Sequence, residues 1–109
     1  MSQKSINEYQ KIIDDWAQTL EKPYWSPMSQ LARLIEEVGE LARIYNHKYG
    51  DKVKKPTEDT DNIQDEMGDI LFDLICMANQ EGILLSDALD EVINKSKTRD
   101  KDRFKKKSL

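Results

Sequence analysis

Apolar residues recur at three- and four-residue spacing in four separate runs, and the residues between the runs are those that start and stop helices. The first run, Tyr9, Ile12, Ile13, Trp16 and Leu20, follows Ser5-Ile6-Asn7-Glu8, which has the form of a capping box. It predicts a helix to about Leu20, with Trp16 in the core. Ser26-Pro27 then reads as an N-cap followed by proline at the first helical position. The helix it opens should run to about Tyr49, with Leu31, Leu34, Ile35, Val38, Leu41, Ala42 and Tyr45 on one face and Gly50 as a left-handed cap. Residues 50–60 carry glycine, proline and charges without periodicity and read as a mobile loop. Asp61-Asn62-Ile63-Gln64 offers the next cap, and Ile63, Met67, Ile70, Leu71, Leu74, Ile75 and Ala78 form a third stripe that Gly82 ends. Ser86 is the expected cap of a fourth helix with Ala88, Leu89, Val92 and Ile93 inward. No strand pattern or repeat interrupts this series, so the prediction is an all-α, antiparallel four-helix bundle. Phe72 and Cys76 fall outside the third stripe, which suggests a second buried face and a homo-oligomer.

Composition changes this picture little. With 109 residues, 35% of them charged and 38% hydrophobic, there is room for one domain and a modest core. No run reaches the roughly 18 apolar residues that would cross a bilayer, the first residues lack the apolar core of a signal peptide, and the lone Cys76 has no disulfide partner. A cytoplasmic protein without membrane contact is expected. Charge adds more. Residues 1–94 hold nine Lys/Arg against nineteen Asp/Glu, for −10, whereas residues 95–109 hold eight against two, for +6. The acidic body would repel a polymeric nucleic acid; a small polyphosphate bridged by a metal ion suits both halves.

The acids are not scattered. Glu36, Glu37 and Glu40 cluster on the face of the second helix away from its apolar stripe, and Glu66, Asp69 and Asp73 lie within an arc of about 60° on the third. An ordinary solvated face would explain one such pair. Like charges one turn apart, however, destabilise a helix by roughly 0.2–0.5 kcal/mol per pair, and both helices accept this with few lysines four residues on. A cation shared between the helices would remove the repulsion. Oxygen-only donors favour Mg²⁺; zinc is disfavoured because His47 is the sole histidine, and the Glu-x-x-His of di-iron bundles is missing.

Glu36-Glu37-x-x-Glu40 followed by Glu66-x-x-Asp69 resembles the signature of the MazG-like nucleoside triphosphate pyrophosphohydrolases, within the all-α NTP pyrophosphatase superfamily. The resemblance runs from about Ser26 to Arg103 and is to the short single-domain bacterial members; it implies a catalytic domain over residues 1–103 and a basic tail over 104–109. It implies hydrolysis of a (deoxy)nucleoside triphosphate to the monophosphate and pyrophosphate, in nucleotide-pool cleansing, by a homodimer or homotetramer. Glu37, Glu40, Glu66 and Asp69 would hold Mg²⁺, for which Mn²⁺ could substitute, with Glu36 as base or supporting acid beside Glu37. Lys95 and Arg99 match the family's basic positions and would hold phosphate oxygens. Trp25, in the loop before the second helix, is the candidate base-stacking residue. A non-enzymatic helical interaction protein, and a related dUTP or phosphoribosyl-ATP pyrophosphohydrolase, are the alternatives.

Overall fold

The computed structural model describes residues 3–56 and 62–108. Four helices follow one another, α1 (Ile6–Ala17), α2 (Pro27–Tyr49), α3 (Ile63–Glu81) and α4 (Leu85–Arg99), with no strand among the described residues. The long pair α2 and α3 packs most extensively, α1 lies on α3, and α4 leans on α1.

Local chemistry accounts for most of the boundaries. Ser5 accepts from the Glu8 N–H and Glu8 reaches back to the Ser5 N–H, a complete capping box. Ser26 caps α2 by accepting from the Ser29 N–H, and Asn62 caps α3 through the Asp65 N–H. Asp61, the other candidate cap, and residues 57–60 of the expected mobile loop lie outside the described residues. Gly82 adopts φ +67°, the left-handed conformation that glycine reaches without a Cβ clash, and the Ile83 N–H returns to the Ala78 carbonyl at 2.9 Å.

Three boundaries differ from the sequence expectation. Helix α1 stops at Ala17 rather than Leu20, because the Thr19 and Leu20 N–H groups bond three residues back and the Thr19 hydroxyl donates to the Trp16 carbonyl, tightening the last turn. Gly50 ends α2 in an extended conformation (φ −100°, ψ −161°), so the expected left-handed cap is not used there. Helix α4 begins at Leu85, ahead of Ser86. Its cap is a distant one: Gln10 on α1 accepts from the Leu85 N–H at 2.9 Å while donating to the Ile83 carbonyl at 2.9 Å and to Asn79. Asn79 in turn donates to the Gln10 carbonyl and to the Tyr24 hydroxyl, which donates to Asp14. This network joins α1, the loop before α2, the end of α3 and the start of α4. Burial and the bond to Asp14 push the Tyr24 phenol up to about 12, so it stays a donor.

The core of the single chain is small. Ala17, Ile44, Ile75, Cys76 and Ala78 are its buried apolar residues. Trp16, expected inside, is 53% exposed, edge-on to Phe72 with ring centres 6.2 Å apart. Ala88, Leu89, Val92 and Ile93 of α4 do not face inward either: all four are exposed, and among the described residues α4 packs chiefly on α1. The radius of gyration, 18.0 Å, exceeds the roughly 13 Å of a compact chain of this length. No described helix is long and apolar enough to cross a membrane.

Candidate active site

The α2–α3 pairing sets the acidic face of one helix against that of the other. Glu37, Glu66 and Asp69 each bring one carboxylate oxygen to within 4.8 Å of the others. Among the described residues no other group of three Asp, Glu, His or Cys side chains converges in this way. At an effective dielectric near 20, two ionised carboxylates at that separation repel by on the order of 3 kcal/mol. Glu66 registers the crowding. Its contact with the Glu37 carboxyl, then burial, then the charges of Glu37, Asp69 and Glu40 push it up to about 7. Its Oε2 is buried without a hydrogen-bond partner.

Either a proton or a dication relieves such a cluster. The three donors are hard oxygens, and the orphaned Glu66 Oε2 offers a lone pair, so the set fits a divalent metal ion. Glu40 is placed differently. Its carboxylate meets Arg43 at 2.5 Å, although its charge still reaches Glu66. Glu36 is exposed.

The arrangement also includes Arg33, which the spacing of acids does not reveal, and gives Asp73 a buried place that the spacing does not show. Arg33 donates from Nε to Glu37 Oε1 at 2.9 Å, holding a carboxylate whose side chain is only 12% exposed, and its guanidinium lies 5.5 Å from the centre of the Trp25 ring. Its four-residue offset from Glu37 is a readable signal. Asp73, one turn beyond Asp69, is buried; Gln30 donates to its Oδ1 at 3.0 Å, and its Oδ2 has no hydrogen-bond partner. Burial raises the Asp73 carboxyl from its usual range, while Arg33 and the Gln30 hydrogen bond act the other way. A cavity of about 220 Å³ adjoins the carboxylates, with Trp16, Tyr24, Trp25 and Phe72 among its walls and Arg33, Asp69 and Asp73 along its polar side. Trp25 is held by its carbonyl, which accepts from Gln80 at 2.9 Å.

Lys95 and Arg99 stand apart from this assembly, on exposed α4. Lys95 pairs with Glu91 at 3.1 Å and Arg99 with Asp100 at 3.1 Å. Helix α4 packs chiefly on α1, and neither cation lines the cavity beside the carboxylates.

The raised Glu66 carboxyl has a consequence for stability. A carboxyl whose proton is held more tightly in the folded chain stabilises it below the unfolded value near 4.5, and that contribution is lost as pH rises towards 7. The melting temperature of the metal-free protein is expected to fall between about pH 5 and 7, and saturating Mg²⁺ should flatten the trend. Thermal scans across that range, with chelator and with metal, test it; a metal-free melting temperature that rises over the interval contradicts it.

A helical bundle that gathers carboxylates from two adjacent helices beside an aromatic cavity has the form of a metal-assisted hydrolase. The MazG nucleotide pyrophosphohydrolase domain model matches residues 25–104, and the chain belongs to that family, which consists of hydrolases acting on acid anhydrides. It is 47% identical over 107 residues to YpjD of Bacillus subtilis strain 168, a protein described as uncharacterised, with 98% of this chain and 96% of that one aligned. The crystal structure of B. subtilis YpjD, described as a candidate pyrophosphatase, superposes with a TM-score of 0.76 at 45% identity, covering 87% of this chain and 97% of that one. The Bacillus-conserved MazG protein, a nucleotide pyrophosphohydrolase, superposes with a TM-score of 0.77 at 43% identity, covering 94% and 99%.

Proposed function

We propose that this protein hydrolyses (deoxy)nucleoside triphosphates to the monophosphate and pyrophosphate with Mg²⁺, or Mn²⁺ in its place, in the cytoplasm. The observation that carries the reading is the convergence of Glu37, Glu66 and Asp69 beside a cavity with aromatic walls. These three would hold the ion. Glu40, one turn past Glu37, would join them on exchanging its Arg43 contact for the metal. When bound, the ion supplies charge neutralisation for the triphosphate oxygens and a water of lowered pKa.

The chain's own residues then have separable tasks. Glu36 takes the proton of the attacking water, whose oxygen bonds to the α-phosphorus as the bond from that phosphorus to the α,β-bridging oxygen breaks. Arg33 holds Glu37 in position and offers a guanidinium at the border between carboxylates and cavity. Trp25 stacks on the base. Lys95 and Arg99 bind the leaving pyrophosphate, and because neither lines the cavity beside its own chain's carboxylates they do so from a neighbouring subunit of a homodimer or homotetramer.

A panel of ribo- and deoxynucleoside triphosphates, incubated with Mg²⁺ and resolved by anion exchange, is expected to yield monophosphate and pyrophosphate in equal amounts. Release of diphosphate and inorganic phosphate would place the cut at the wrong bond. Failure to cleave any member would remove the proposal.

A further inference from the structure

The 220 Å³ cavity has a mouth and a floor of different chemistry. Trp16 and Trp25 are largely exposed at its rim, whereas Gln30, Asp73 and Cys76 are buried at its base. The cavity is open to solvent at its rim and has room for one flat heterocycle. Asp69 and Arg33 also line it, so it opens directly beside the carboxylate cluster. Asp73 follows Asp69 by one helical turn, about 6 Å along α3.

Asp73 is the unusual member of that floor. At 5% exposure it is a buried acid whose Oδ1 is bonded to the Gln30 amide and whose Oδ2 has no hydrogen-bond partner. Buried polar atoms are nearly always satisfied, and an exception marks a place that something else completes. An apolar ligand would leave the oxygen as it is. The accessible surface of Oδ2 is nearly nil in the free chain, so a ligand with an N–H group would satisfy it once the Asp73 carboxyl turns Oδ2 towards the cavity.

Among nucleobases, cytosine and adenine carry an exocyclic amino group next to an unprotonated ring nitrogen. Gln30 has a second amide hydrogen beside the one given to Asp73, so the pair offers an acceptor and a donor side by side, complementary to that edge. Uracil and thymine reverse it. They would set the O4 lone pairs against a carboxylate oxygen. We propose that Asp73 and Gln30 form the base-reading element of this site and select nucleotides bearing cytosine or adenine over those bearing uracil or thymine. This rests on the nucleotide reading of the site and adds to it the part of the substrate that decides selection.

CTP and UTP differ at that edge alone and are the pair to compare. With the full-length protein and Mg²⁺, kcat/KM is expected to favour CTP by at least about tenfold, since a site built to bond a polar group discriminates strongly against its mismatch. Asp73→Asn keeps shape and an acceptor for Gln30 while placing an amide N–H₂ where Oδ2 stood. It is expected to lower the CTP value, raise the UTP value and bring their ratio to about one or below. A parental ratio near one overturns the proposal, as does a ratio that Asp73→Asn leaves unchanged, an equal loss on both substrates, or an effect that tracks 2′-deoxy against ribo sugar instead of base. Calorimetric binding of α,β-methylene CTP and UTP, which does not depend on turnover, should give the same preference. That measurement separates the two readings: analogues bound without selectivity sink the base-reading pair, whereas selective binding without any cleavage of triphosphates sinks the proposed hydrolysis alone.

Discussion

Replacing Glu37 and Glu66 together by glutamine is expected to reduce pyrophosphate release by at least about a thousandfold and to remove the metal-induced rise in melting temperature. Both residues lie where α2 and α3 approach, and each gives an oxygen to the only convergent acidic triad among the described residues. Glutamine keeps volume and one acceptor oxygen but loses the charge that a hard dication requires. The same change acts oppositely on the metal-free fold. Repulsion on the order of 3 kcal/mol per ionised pair is removed, so at pH 8, above the raised Glu66 value of about 7, the double variant should melt above the parent in chelator and below it in saturating Mg²⁺. This crossing distinguishes a working metal site from a solvated acidic face, which would give equal curves with and without metal. A variant that still releases pyrophosphate at the parental rate would locate the chemistry elsewhere.

The sequence was most informative where a residue's role depends on its neighbours in the chain. Ser5 with Glu8, Ser26 with Pro27, and Gly82 each solve a local hydrogen-bonding problem, and the structure uses them as the pattern predicts. The acids follow the same logic. Glu37, Glu66 and Asp69 are legible because a helical wheel places Glu37 away from the apolar stripe of α2 and Glu66 and Asp69 at the edge of the stripe of α3, and two such faces can meet only where two helices pair. Legibility fails where the partner is distant. No local pattern identifies Gln10 as the cap of a helix that starts 75 residues later, and on local pattern alone Ser86 reads as the better cap. The Gln30–Asp73 bond spans 43 residues and converts what the wheel shows as one more edge acid into a buried group. Periodicity likewise reports that Leu89, Val92 and Ile93 share a face without saying which surface covers it. The single chain does not cover it.

That uncovered face leads to the second large effect, which is on assembly. Leu89, Val92 and Ile93 are 54%, 58% and 47% exposed, and α2 leaves Met28, Ile35 and Val38 similarly open. Full burial of a Val, Leu or Ile side chain contributes roughly 1.5–3 kcal/mol, so covering the half still open on the three α4 residues would add about 3 kcal/mol per subunit, counted twice in a symmetric dimer. The purified protein is expected to sediment as a dimer or tetramer, with a melting temperature that falls on dilution because unfolding is then linked to dissociation. Val92→Glu should dissociate it and, by carrying Lys95 and Arg99 away from the neighbouring carboxylates, reduce pyrophosphate release by at least about a hundredfold, as loss of donors to a leaving group does. A monomeric mass at micromolar concentration with an unchanging melting temperature would contradict this. Mixing subunits decides whether α4 acts across the interface. In a hybrid of the Glu37→Gln/Glu66→Gln chain with a Lys95→Ala/Arg99→Ala chain, one site combines intact carboxylates from one subunit with an intact α4 from the other. Refolding the two inactive variants together should therefore restore activity that neither has alone, and a mixture that stays inactive would mean that α4 serves its own chain's carboxylates or none.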